Sequence, residues 1–185
     1  MRINEERFEL NGKNILLRCA RPDEADMLIN YLKTVTGETR FLMADADEIS
    51  YTIEQEKSFI NGHNDSDDQL LLLVFVDGEY AGNCSFDSKA VSRRNAHRAG
   101  IGIALFQKHT GQGLGRIILN RLIKEVKNAG FEQVELTVVG GNDRAYHLYK
   151  SIGFVECGRI PNANKYQDGT YADDILMVMK LTKSN

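Results

Sequence analysis

The sequence predicts a mixed α/β fold of the α+β kind, built round one sheet, and three observations carry the prediction. The apolar run "LLLLVFV" (70–76) meets the turn signal "DGEY" and continues as "AGNCSFDS", which makes an antiparallel hairpin. The stretch "FQKHTGQGLGRIILNRLI" (106–123) joins a strand to a helix through alternating glycines. Beyond it the chain alternates strand, helix, strand. With 185 residues, 42% hydrophobic and 26% charged, a single domain over 1–185 with a core from about 15 to 181 is expected.

The elements follow in order. Ile15 to Cys19 is a short strand, and Pro22 opens a helix that puts Ala25, Leu28, Ile29 and Leu32 on one face. The segment 34–48, "TVTGETRFLMADADE", has no clean period and reads as a loop or broken helix of the kind that carries substrate contacts. A second helix runs from Ile53 to Ile60 and is ended by "NGHNDSDD". After the hairpin and the charged turn "SRRNAHR" comes the strand Ala99 to Phe106. Leu114, Ile117, Ile118, Leu122 and Val126 then mark a helix stopped at Gly130. The remainder reads strand "VELTVV", loop "GGN", helix "DRAYHLYKSIG", strand "FVECGRI", a polar loop with Pro161 and "QDGT", and a last strand "DDILMVMKL".

Composition excludes several classes. A net charge of −3 and a pI near 5.8 lack the basic excess of a sequence-independent nucleic-acid binder. Cys19, Cys84 and Cys157 are scattered singly, as reduced thiols inside a cell would be. The charged start "MRINEERFEL" is no secretory signal and no apolar run could span a bilayer, so a cytoplasmic protein without membrane partners is expected.

A strand, a glycine run and a helix N-terminus form an anion cradle, because glycines admit close backbone approach and the amides point one way. A P-loop would need GxxxxGK followed by Ser or Thr, whereas the glycines here are Gly111, Gly113 and Gly115, with Arg116 before Ile117. A dinucleotide fingerprint wants GxGxxG rather than GxGxG; Glu132 or Glu135 could supply its acidic residue, but a Rossmann half would begin its sheet at this point. A glycine turn that merely tightens the junction is the plain alternative.

Downstream lies "GGNDRAYHLYKSIGF" (140–154). Together the two segments resemble the acetyl-CoA site of the GNAT superfamily of N-acetyltransferases. The defining glycines of its first motif fall on Gly113 and Gly115; the second motif matches Asn142, Ala145, Leu148-Tyr149 and Gly153-Phe154. Thr110 stands where the family usually has Arg or Gln, and its backbone amide can still serve a phosphate.

The resemblance implies a GNAT fold, one central and mostly antiparallel sheet with a splayed parallel pair of strands, flanked by helices. It implies acetyl-CoA as cosubstrate and calls for no metal. The pantetheine arm would lie along Ala104, Leu105 and Phe106, and the pyrophosphate on the amides of Thr110, Gly111, Gln112, Gly113, Leu114, Gly115 and Arg116. Asn142 and Ala145 would meet the cofactor, with Arg116, Arg144 and Lys150 as candidate charges for its phosphates. Tyr149 would stabilise or protonate the leaving thiolate, and an N–H near Leu105 or Phe106 would polarise the thioester carbonyl.

The amine must lose a proton, and no carboxylate stands where relatives carry one: 98–106 has none, and the other position is Thr137. Glu38, a water chain, or one of His63, His97 and His109 could serve, although the histidines read as surface or turn residues. Glu38, Asp45, Asp47, Asp168, Asp173 and Asp174 would suit a cationic acceptor, either a small-molecule amine or a protein N-terminus. A homodimer is allowed for. Two alternatives stay open: a CoA-binding sensor without turnover, and a nicotinamide-dependent enzyme.

Overall fold

The computed structural model describes residues 1–181. Its strands form one eight-stranded mixed sheet in the order β1-β2-β3-β4-β5-β6-β8-β7. Two compact units are distinguished, Met1–Asp87 with Gly102–Leu122, and Ser88–Ile101 with Ile123–Asn185.

In the first unit, β1 (Glu6–Leu10), β2 (Lys13–Cys19), β3 (Gln69–Val76) and β4 (Glu79–Ser88) pair antiparallel in succession. Asp77 (φ 50°) and Gly78 (φ 83°) make the tight turn that the "DG" pair signals. β3 is buried almost throughout, which is why it reads as a continuous apolar run. β1 was not expected. It is an edge strand with both faces largely exposed, so backbone pairing with β2 holds it without an apolar period in the sequence.

Helix α1 (Ala25–Glu38) follows a single turn at Pro22–Glu24 and buries Ala25, Leu28, Ile29, Tyr31 and Val35. It continues four residues beyond Thr34, into the segment expected as loop or broken helix; there Thr34 and Thr36 donate their hydroxyls to the Asn30 and Leu32 carbonyls. Helix α2 (Ile53–Asp65) starts at Thr52, whose side chain accepts the Gln55 N–H. It runs past Ile60 because its last turn is packed: Asn64 is buried and donates to the Ala20 carbonyl at 3.0 Å. Ala20, Ala25, Leu28, Ile60, Leu71 and Leu73 form the core between these helices and the sheet.

β5 (Arg98–Leu105) and α3 (Leu114–Asn128) each have residues in both units. In the second unit β5 pairs in parallel with β6 (Gln133–Val139) over three positions, Arg98↔Gln133, Ala99↔Val134 and Gly100↔Glu135. Arg98 grips both oxygens of the Glu135 carboxylate through Nε and Nη2, one edge of its guanidinium, at this pairing. The chain then forms α4 (Asp143–Ile152), β7 (Val155–Lys165) and β8 (Tyr171–Lys180). The polar segment around Pro161, expected as a loop, belongs to β7. The register passes from Ile160↔Asp174 to Asn164↔Ala172, so three residues bulge opposite Asp173, where Pro161 has no N–H to give. The turn itself is at 166–170, with Gly169 at φ 82°.

Candidate active site

The candidate residues of the first unit gather at the end of β5 and in the loop that follows. The last residues of β5 are bound to the structure through their backbone. Ala104 C=O accepts the Tyr31 hydroxyl at 2.7 Å, Phe106 N–H donates to Ala81 C=O at 3.0 Å, and Gln107 N–H donates to the Glu38 carboxylate at 2.7 Å. A peptide's C=O and N–H point to opposite sides of the chain in the trans form. Leu105 N–H, which shares a peptide with Ala104 C=O, is therefore directed to the edge of β5 away from β4.

The loop closes as a short turn, 107–109, with Thr110 returning both its N–H and its hydroxyl to the Gln107 carbonyl. Gly111 (φ 76°) and Gly113 (φ 83°) are left-handed, and a Cβ on either would meet nothing within 4 Å. The glycines are thus required by backbone conformation and stand beside open space. Leu114, buried, starts α3, while Gln112, Gly113 and Arg116 are exposed. The tip of the first hairpin holds this loop: Asn11 donates to the Gln112 carbonyl and Lys13 to its side-chain oxygen, at 3.1 and 2.9 Å. A group with several amides at a helix N-terminus and room above them fits a pyrophosphate.

In the second unit Asn142 caps α4, its side chain accepting the Ala145 N–H at 3.3 Å. Asn142 also lines a cavity of about 160 Å³ bounded by Gly140, Asp143, Tyr146 and Arg159. Tyr149 is half-buried on α4 with its ring edge against Phe154, 5.9 Å between centroids. Burial pushes its phenol up to about 12. Gly153 (φ 119°) ends the helix, and Phe154 N–H bonds back to the Tyr149 carbonyl. Arg144 and Lys150 are exposed on α4, with the Lys150 ammonium over the Tyr146 ring.

A family model, the acetyltransferase (GNAT) family, matches residues 37–154, which include the glycine loop, Asn142 and Tyr149. The chain belongs to the GNAT acetyltransferase family. Among solved GNAT structures, the acetyltransferase from Streptococcus pneumoniae is 31% identical and superposes over 90% of this chain and 99% of that one with a TM-score of 0.85. Salmonella typhimurium yncA, solved with its cofactor acetyl-CoA, shares the fold at 19% identity, TM-score 0.80, over 93% of this chain and 96% of that one. Curated relatives include the L-amino acid N-acyltransferase MnaT of Escherichia coli, 33% identical over 73 residues, or 40% of this chain and 42% of that protein. Streptothricin acetyltransferase of Streptomyces lavendulae is 29% identical over 94 residues, 51% of this chain and 48% of that protein. The chain matches less than half the length of either curated relative.

Most acidic residues proposed for the acceptor of this GNAT chain hold its own loops together. Asp173 accepts the Asn162 N–H, Asp174 the Asn164 side chain, and Asp168 the Thr170 N–H and hydroxyl. Glu38 is anchored on Gln107 as described, and Asp45 precedes the turn 46–48. Thr137 is exposed on β6. His63, expected at the surface or in a turn, is instead buried on α2 with Nε2 3.1 Å from the Asp87 carboxylate. His109 sits in the turn 107–109 and is buried as well. Tyr31 was missed: it occupies the buried face of α1, but nothing in the sequence says that a hydroxyl there reaches β5. Among the described residues no group of three or more His, Cys, Asp or Glu could hold a metal, and no helix is long and apolar enough to cross a membrane.

Proposed function

We propose that this protein is an acetyl-CoA-dependent N-acetyltransferase that passes the acetyl group to a primary amine by direct attack in a ternary complex. The observation that carries the reading is Tyr149, a half-buried phenol at the motif position of a GNAT chain, kept protonated at neutral pH. The family match, which includes the glycine run, replaces the nicotinamide alternative.

The cofactor is assigned to backbone at the end of β5 and in the loop. Ala104, Leu105 and Phe106 would flank the pantetheine, and the amides of residues 111–116 would take the pyrophosphate, the Thr110 N–H being engaged by the Gln107 carbonyl instead. Asn142, Ala145, Arg144, Lys150 and Arg116 would complete its contacts. The neutral amine attacks the thioester carbonyl carbon as Leu105 N–H receives the charge developing on oxygen. Collapse breaks the C–S bond and releases CoA thiolate, and the nitrogen gives up its proton to water or a water chain. A thiol titrates near about 8.5, well below Tyr149, so the phenol stabilises the thiolate by donating a hydrogen bond more than by full transfer. The products are the N-acetylated amine and CoA thiol. The acceptor class is a small amine of amino-acid type or a protein N-terminus, and the 185 residues act as one cytoplasmic domain, alone or as a homodimer.

The test is an acceptor screen over amino acids, small amines and N-terminal peptides that follows release of free CoA thiol. Turnover with at least one amine is expected. Tight CoA binding with no transfer to any amine would leave the sensor reading, which the missing strand carboxylates favour. Failure to bind CoA would remove both.

A further inference from the structure

Tyr31 ties α1 to the end of β5. Phe106 N–H bonds Ala81 C=O directly. Two residues earlier, the Tyr31 hydroxyl donates to Ala104 C=O at 2.7 Å. The neighbouring backbone of β4 approaches the same carbonyl closely. Gly82 has φ 141°, and a Cβ on it would lie 2.3 Å from the Ala104 oxygen. Tyr31 is itself 2% exposed, its ring held edge-on by Tyr80 and Phe106 at centroid distances of 5.1 and 5.0 Å. Burial raises the pKa of this hydroxyl, which keeps it a donor.

Two consequences reach Leu105. The peptide between Ala104 and Leu105 is planar and trans, so fixing the carbonyl on Tyr31 fixes the direction of Leu105 N–H on the opposite edge. A hydrogen bond accepted by that carbonyl also polarises the peptide and strengthens the N–H as a donor. We propose that Tyr31 is a positioning residue that, through the Ala104 carbonyl, aims and strengthens the Leu105 N–H for the thioester oxygen of acetyl-CoA. The inference rests on the acetyltransferase reading and adds to it a residue that touches neither substrate nor cofactor.

The experiment is isotope-edited infrared spectroscopy of acetyl-CoA labelled at its carbonyl carbon, bound without an amine to the wild type and to Tyr31→Phe, with CoA affinity measured by calorimetry. The wild type is expected to lower the carbonyl frequency below that of free acetyl-CoA. Tyr31→Phe should bring it back towards the free value and lower kcat about tenfold, with CoA affinity retained. The same frequency and kcat in both proteins would overturn the proposal while leaving the cofactor reading intact. A wild type that does not bind acetyl-CoA overturns both. Should Tyr31→Phe fail to fold, site-specific replacement of Tyr31 by 3-fluorotyrosine keeps the size and makes a stronger donor. A further lowering of the frequency would then support the proposal, and an unchanged one would overturn it.

Discussion

The Glu38 carboxylate accepts the Gln107 backbone N–H at 2.7 Å, which ties the last residue of α1 to the turn after β5. Tyr31 lies about two helical turns earlier on the same helix and binds Ala104. One face of α1 therefore holds the end of β5 at two backbone points, on either side of Leu105 and Phe106. Where β5 ends, and how the glycine loop begins, depends on a helix from the other end of the sequence.

This gives Glu38 a holding role that a base would not need. Glu38→Gln keeps an acceptor oxygen for Gln107, so activity should stay within about threefold of wild type, as the loss of one exposed charge predicts. Glu38→Ala should lower stability by about 1 kcal/mol, as loss of a cap does. Steady-state kinetics and denaturant melts check both. A loss beyond a hundredfold in a folded Glu38→Gln protein would make Glu38 the base instead.

Gly82→Ala should be the most damaging small substitution in the sheet. Its methyl would come within 2.3 Å of the Ala104 oxygen and 2.8 Å of the Leu105 Cα, both backbone atoms with little room to yield. A loss of about 2–4 kcal/mol in urea melts is expected, from strain and overpacking together. Gly113→Ala is the contrast: its surroundings are empty, so it should cost about 1 kcal/mol through its left-handed φ alone. It should nonetheless raise KM for acetyl-CoA.

If the phenol acts on the leaving sulfur as proposed, Tyr149→Phe should lower kcat about a hundredfold and leave CoA affinity within twofold. The same residue has a stability signature. Its folded pKa lies near 12 against 10.0 for an ordinary phenol, so the unfolded chain loses its proton first. Stability from this group is complete below pH 10 and declines as pH rises towards 12. Melts across that window should show a shallower decline in Tyr149→Phe than in wild type.

Asn142 caps α4 and is proposed to touch the cofactor, and two substitutions separate the roles. Asn142→Ala should cost about 1 kcal/mol, because the Ala145 N–H loses its acceptor. Asn142→Ser should restore most of that stability while CoA affinity, followed by calorimetry, stays reduced. Equal CoA affinity in wild type and both variants would limit Asn142 to capping α4.

Much of the scaffold was legible in local patterns. The left-handed glycines 111 and 113, the Asp77-Gly78 turn and the apolar period of α3 are short-range signals, because turn geometry and helix faces depend on neighbours a few residues away. Two elements were not legible for the same reason. β1 is an exposed edge with no period, and β7 continues through a proline bulge whose polar residues look like loop. At the site, the motif positions that the family model covers were visible in the sequence.

The partners of the buried polar atoms were not. By itself the sequence determined most of the strands and helices, the tight turns, and the family's motifs, all of which are written in residue type and close spacing. Only the tertiary structure decided that the Tyr31 hydroxyl meets the Ala104 carbonyl, 73 residues away, and that Glu38 caps Gln107, 69 residues away. Periodicity states which face of a helix is buried. What a hydroxyl or carboxylate on that face meets is set by the path of the whole chain, since a buried polar group must find its partner wherever folding brings one.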